Sequence, residues 1–179
     1  VKKAVPSLKL IIDSREQLPL DFNEAAFDEV EVRGMPVGDY WAELDGKEIP
    51  LCFERKSLGD LFSTMTTGYG RFKKELARAK EAGLTVILVI EGSMREVAAG
   101  YDYSRYKGDS MLKKLAMLRV RYDLEFHFFN DRREMSRYIE EIFSAIRRSW
   151  SSKPRSVIGS SAPKPTDTSP TKPIDCQHD

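Results

Sequence analysis

Apolar residues fall along this chain in two rhythms. Residues 8–12 form an apolar-rich run that stops at Asp13, and residues 84–90 (Leu-Thr-Val-Ile-Leu-Val-Ile) are the clearest buried strand. Shorter runs at 30–32, 40–44, 49–53 and 124–129 read as further strands. Asp45-Gly46 separates two of them and signals a hairpin, because glycine takes positive φ without strain. Elsewhere the period lengthens to that of a helix. Ser57 caps a short helix running to Met65, Gly68 and Gly70 punctuate, and a second helix spans 71–82 before Gly83. Residues 91–109 read as an irregular loop with at most one helical turn, followed by a helix over 110–122. The last helix, 132–148, carries Met135, Tyr138, Ile139, Ile142, Phe143 and Ile146 on one stripe. Alternating strands and helices predict an α/β sandwich around a mixed sheet.

The hairpin makes a register argument. Centred on Asp45-Gly46, it sets Asp39 opposite Cys52. Residues two apart on a strand share a face, so Asp39, Glu54 and Lys56 point to one side. Asp39 and Glu54 then lie on a diagonal of roughly 7–8 Å between Cα atoms, close enough to clamp one cation. Ile49, Leu51, Phe53 and Arg55 take the other face. Three of these are apolar, so Arg55 must either reach past the core or bond a partner acid. A one-residue slip would send Asp39 to the wrong side.

Composition narrows the class. The chain has 179 residues, enough for one domain with a real core, and 41% of them are hydrophobic. The 32% charged residues nearly cancel to a net +1, which still allows a basic face and an acidic site on one molecule. Two cysteines, Cys52 and Cys176, make no disulfide framework, so an intracellular, reducing setting is expected. No run approaches the ~18 apolar residues of a membrane span. His127 and His178 lack partners at metal-ligand spacing, which argues against zinc. The start, Val1-Lys2-Lys3, has neither a signal-peptide core nor an initiator methionine, which suggests a processed form or a fragment. We expect one domain over residues 1–150 and a disordered Ser/Pro/Thr/Lys-rich tail over 151–179.

The chemistry concentrates in Asp13-Ser14-Arg15-Glu16, Gly38-Asp39-Tyr40, and Glu54-Arg55-Lys56 followed by Asp60. Carboxylates that hold a divalent cation against a phosphate, beside one ammonium, are the parts of a phosphodiesterase. Asp39 and Glu54 would hold the cation, with Asp13 completing or supporting its shell. Lys56 would orient the attacking water or stabilise charge on the phosphate.

Gly38-Asp39, fourteen residues, Glu54-Arg55-Lys56, three residues and Asp60 resemble the signature of the ERCC4-type structure-specific endonucleases, a group that includes XPF, Mus81 and Hef. Asp13-Ser14-Arg15-Glu16 is similar to the upstream Asp-x-Arg-Glu segment of that family, and the likeness runs from about residue 8 to 148. The resemblance implies a restriction-endonuclease-like, PD-(D/E)XK core and Mg²⁺- or Mn²⁺-dependent hydrolysis of branched DNA such as flaps and forks. It implies metal-site acids at Asp13, Asp39 and Glu54 and a catalytic lysine at Lys56. Arg15, Glu16, Arg55 and Asp60 match motif residues that position the site or contact the backbone. Arg71 matches a basic position near the phosphate. The chain departs from the larger relatives in showing no tandem helix-hairpin-helix domain after Arg148 and no helicase motor.

Several segments carry two readings. Arg71, Lys74 and Arg78 fall at i, i+3 and i+7 opposite Phe72, Leu76 and Ala79, a stripe that suits DNA phosphates or a solvated face. Tyr101, Tyr103 and Tyr106 interleave with Arg105 and Lys107, which suits base stacking or plain surface packing. Residues 65–70 suit a closing loop or a mobile linker. The last helix suits core packing or a homodimer contact, or pairing with a related subunit, and its Arg132, Arg133, Arg137, Arg147 and Arg148 add DNA affinity or only solubility. The competing functions are a nuclease-fold scaffold that binds without cutting, and a junction resolvase on the same core.

Overall fold

The computed structural model describes residues 5–101 and 107–152. The expectations for Tyr103, Arg105, Tyr106, Cys176, His178 and the tail lie outside these residues. In chain order the elements are β1 (Leu8–Asp13), β2 (Glu29–Arg33), β3 (Tyr40–Leu44), β4 (Lys47–Glu48), β5 (Leu51–Ser57), α1 (Leu58–Thr66), α2 (Tyr69–Glu81), β6 (Thr85–Glu91), α3 (Met94–Ala99), α4 (Gly108–Tyr122), β7 (Glu125–Phe129) and α5 (Arg132–Ser152), with a 3-10 turn at Glu24–Ala26. The segment expected to be an irregular loop holds a true short helix, α3, capped by the Ser93 side chain on the Glu96 N–H.

The sheet order is β2-β1-β3-β5-β6-β7, with β4 paired to β3. β1 runs parallel to β2, β5 to β6 and β6 to β7, while β3 is antiparallel to both β1 and β5. The carboxyl ends of β1, β5, β6 and β7 therefore share one rim of the sheet with the amino end of β3. That rim receives Asp13, Asp39 and the residues 54–57 from three separate stretches of sequence.

Each face of the sheet builds its own core. On one side, Ile11, Trp41, Cys52, Leu88 and Ile90 pack with Leu61, Phe62 and Met65 of α1, Phe72 and Leu76 of α2, and Leu115 and Leu118 of α4. On the other, Leu10, Tyr40, Ala42, Phe53, Ile87 and Val89 pack with Met135, Ile139 and Phe143 of α5. Alternation along β6 supplies both faces at once, which is why its sequence reads as one continuous apolar run. Tyr138, Ile142 and Ile146 are partly buried against the second core, so the stripe of α5 packs on its own sheet. Among the described residues no helix is long and apolar enough to cross a membrane.

The hairpin register differs from the one its turn dictates. Near the turn the pairs are those expected, Glu43 with Glu48 and Leu44 with Lys47. Beyond it Tyr40 pairs with Phe53, where the unbroken hairpin would have set it opposite Leu51. The cause lies at Ile49-Pro50. Ile49 still donates to the Ala42 carbonyl at 2.9 Å, but proline has no N–H for the ladder, and the Leu51 N–H turns back onto the Ile49 carbonyl at 2.7 Å. Two residues are absorbed there. Because the side-chain period is two, the shift changes partners and preserves faces.

Candidate active site

Gly38 places Asp39. Its φ is +75°, and a Cβ at this position would lie 2.7 Å from Cys52 Sγ and 3.2 Å from the Phe53 carbonyl oxygen. Only glycine satisfies both the backbone and the space. Asp39 then enters the sheet through its main chain, donating to the Phe53 carbonyl at 2.7 Å and accepting from the Asp13 N–H at 2.8 Å. Its Oδ2 accepts from the Arg55 N–H at 2.7 Å. The carboxylate thus occupies a place where a strand carbonyl would otherwise sit.

Glu54 and Lys56 stand on the same side of β5 as Cys52, beside Asp39. Lys56 Nζ donates to Glu54 Oε1 at 2.5 Å. Burial and the adjacent Glu54 charge push the Asp39 carboxyl up to about 7. Burial alone would lower the Lys56 ammonium, but the charge and hydrogen bond of Glu54, with Asp39 and Asp60 nearby, outweigh it and raise its pKa. Lys56 is therefore a held cation at neutral pH.

Arg55 settles the question its position on β5 left open. It faces away from Glu54 and bonds a partner acid, with Nε and Nη2 donating to Glu16 Oε2 and Oε1 at 3.2 and 3.0 Å. Asp13 is 1% exposed, and both of its oxygens are engaged. Oδ1 accepts from the Arg15 N–H and Nε at 2.7 and 2.9 Å, and Oδ2 accepts from Arg15 Nη2 and the Met35 N–H, each at 2.8 Å. The Arg15 hydrogen bond leads the effects that hold the Asp13 carboxyl down at about 2. Arg15 remains 70% exposed, and the charges of Asp39 and Glu54 add to those raising its own pKa, so it hangs near the acid pair.

Asp60 caps a helix. Its N–H donates to Ser57 Oγ at 3.1 Å, and its Oδ2 accepts from that hydroxyl at 2.6 Å, which fixes the first turn of α1 behind Lys56. Arg71, Lys74 and Arg78 are exposed along α2 over buried Phe72, Leu76 and Ala79. Arg71 meets the neighbouring Glu75 at 3.6 Å, and Arg78 lines a hollow with Trp41 and Pro50, at the end of the sheet away from the acids. Tyr101 is partly buried, its ring 5.6 Å from that of Phe62. Tyr69, in the segment with closing-loop and linker readings, lies under the Lys73 and Lys114 ammoniums at 4.8 and 4.4 Å. Met35 carries no sequence signal, and the Gly38-Asp39-Tyr40 segment gives Tyr40 no role of its own. Each acts through one group, the Met35 N–H on Asp13 and the Tyr40 hydroxyl, which accepts from the Leu20 N–H at 2.9 Å.

The available metal donors are thus Asp39 and Glu54. Among the described residues no group of three His, Cys, Asp or Glu side chains is gathered to hold a metal ion, and Asp13 spends both oxygens on Arg15 and Met35. Two oxygen donors suit Mg²⁺ or Mn²⁺, because Mg²⁺ takes one or two carboxylates and fills its shell with water and phosphate. The raised Asp39 pKa marks negative charge that a divalent cation would offset.

Residues 12–142 match the model of the ERCC4 domain family. The chain belongs to the ERCC4 domain family. Its fold is the restriction-endonuclease-like one, as the resemblance implied. XPF from Aeropyrum pernix superposes with a TM-score of 0.57 at 18% identity, covering 89% of this chain and 69% of that one. XPF from Aeropyrum pernix in complex with DNA gives 0.57 at 19% identity, covering 79% of this chain and 65% of that one. This ERCC4 chain thus spans about two thirds of the length of either XPF structure. Comparison with curated protein sequences returns no match.

Proposed function

We propose that this protein is a metal-dependent, structure-specific DNA endonuclease whose centre is Asp39, Glu54 and Lys56. The observation that carries the reading is the convergence of these three side chains on one rim, with Asp39 raised to about 7 by burial and by Glu54. Mg²⁺ or Mn²⁺ held by Asp39 and Glu54 would supply Lewis-acid polarisation of the phosphate and a more acidic water.

The chain's own groups do the rest. Lys56, cationic and tethered to Glu54, sits where it stabilises charge gathering on the phosphate oxygens. Arg55 holds Asp39 through its N–H and locks the preceding loop through Glu16. Asp13 serves as a positioning residue, aiming Arg15 towards the acid pair, and Arg15 binds a substrate phosphate by its guanidinium fork. In the reaction water forms a bond to phosphorus, one ester P–O bond breaks, and the products are a phosphate monoester and a free hydroxyl. The substrate is branched DNA inside the cell, and a second copy or a related subunit completes its grip.

Labelled flap, fork, four-way and plain duplex DNA, incubated with Mg²⁺ or Mn²⁺ beside Asp39→Ala, tests the reading. Cutting confined to branched substrates and lost in the variant is expected. Binding without cutting by the wild type would replace the enzyme with a scaffold, and preference for the four-way substrate would make it a resolvase.

A further inference from the structure

A cleft of about 970 Å³ opens on the α5 side of the molecule, between residues 19–23 and the first turns of α5. Pro19, Asp21, Phe22, Arg132, Arg133 and Arg137 are among its walls. Arg132 is braced by neutral groups, its Nη2 donating to the carbonyls of Leu18 and Pro19 at 2.7 and 3.0 Å. Its charge is therefore oriented without being cancelled. Arg133 and Arg137, one helical turn apart, are both exposed, and among the described residues neither pairs with a carboxylate. Of the two acids lining the cleft, Glu140 is already occupied, accepting from the Asn23 N–H at 2.7 Å.

The cleft also has a fixed relation to the acid pair. One segment serves both: Arg15 hangs near the acid pair, Glu16 is tied to Arg55 on the α5 side, and three residues later Pro19 forms a cleft wall. Three residues reach at most about 11 Å, so the cleft wall lies close to the loop that Arg55 anchors beside Asp39. The volume matches a pocket for a small ligand, about 300–1,000 Å³. It admits a few nucleotides of one strand, and a duplex could only lie across its mouth. Paired guanidinium forks suit phosphate oxygens.

We propose that this cleft is a second DNA site, which holds the phosphates of a single-stranded arm through Arg133 and Arg137 with Arg132 as a braced third cation. The proposal rests on the nuclease reading and adds to it how one arm of a branched substrate is recognised, on the face of the sheet opposite α1 and α2.

The test is binding of a labelled single-stranded oligonucleotide to the full chain in EDTA across a salt series, for wild type, Arg133→Gln/Arg137→Gln and Arg148→Gln. The double variant should bind at least about fivefold more weakly. Its slope of log affinity against log salt should fall by about 1.4, from roughly 0.7 per single-strand phosphate contact. Arg148→Gln, on the same helix and outside the cleft, should match wild type. Equal loss in Arg148→Gln, or no loss in the double variant, overturns the cleft, as does a wild type that binds no single strand. Cleavage of flap DNA by the same proteins separates the two ideas: cutting that survives with unaltered single-strand binding removes the cleft and leaves the nuclease standing.

Discussion

The Arg55 N–H donates to Oδ2 of Asp39 at 2.7 Å across sixteen positions of sequence. The same arginine sends its guanidinium to the opposite side of the strand, onto Glu16. One residue thus ties the acid centre to the loop that forms the wall of the arginine cleft.

Asp39 should make metal-free stability fall as pH rises. Its folded pKa is raised from 3.8 to about 7, so the protonated carboxyl contributes stability fully below about pH 4, and that contribution is lost as pH climbs through 7. In EDTA, Asp39→Asn should melt higher than wild type at pH 8, by roughly 1–3 kcal/mol after allowance for solvent screening. The two should converge near pH 4. Melting curves that stay parallel over this range would contradict the assignment.

Asp13 runs the other way. Its folded pKa is lowered to about 2, so its stabilisation is present above about 3.8 and disappears as pH falls through 2. Asp13→Ala leaves the buried Met35 N–H without its acceptor and frees the exposed Arg15 fork, and should cost about 1–3 kcal/mol in urea unfolding at pH 7. A loss below about 0.5 kcal/mol would mean that the buried carboxylate is not held as described.

Gly38→Ala should cost about 1–3 kcal/mol, from the left-handed backbone and the approach to Cys52. Cys52→Ala removes the Sγ that a new Cβ would strike at 2.7 Å. In the double variant part of the loss should return, giving a coupling energy that simple addition does not predict. Strict additivity in the cycle would rule out the steric account.

Lys56→Ala should lower single-turnover cleavage by roughly 10²–10³-fold, the usual cost of one preorganised charge donor. DNA affinity in EDTA should hold nearly constant. A variant that loses binding and keeps its rate would move Lys56 from the reacting phosphate to the grip.

Much of this was legible in sequence, because strand period and motif spacing speak about faces. The buried run at β6, the Ser57 cap and the common side of Asp39, Glu54 and Lys56 all follow from local rules. What escaped was partnership. Nothing in Asp13-Ser14-Arg15-Glu16 says that Asp13 spends both oxygens on Arg15 and Met35, or that Glu16 takes Arg55, since those bonds depend on how loops from distant segments return to the rim. The hairpin register escaped for a smaller reason: the run 49–53 takes Pro50 inside a strand, whereas its missing N–H delays the strand to Leu51 and shifts the pairing by two. The arginine cleft could not be read at all, since residues 19–23 and α5 meet only in the folded chain.

The two residues absorbed at Ile49-Pro50 imply a counting rule for this hairpin. Deleting or inserting two residues between β4 and β5 leaves Glu54 and Lys56 on the side of the sheet where Asp39 waits. Deleting or inserting one turns both of them into the α5 core and brings Arg55 round in their place. Length here can drift in even steps, and the chemistry at the rim reads only the parity.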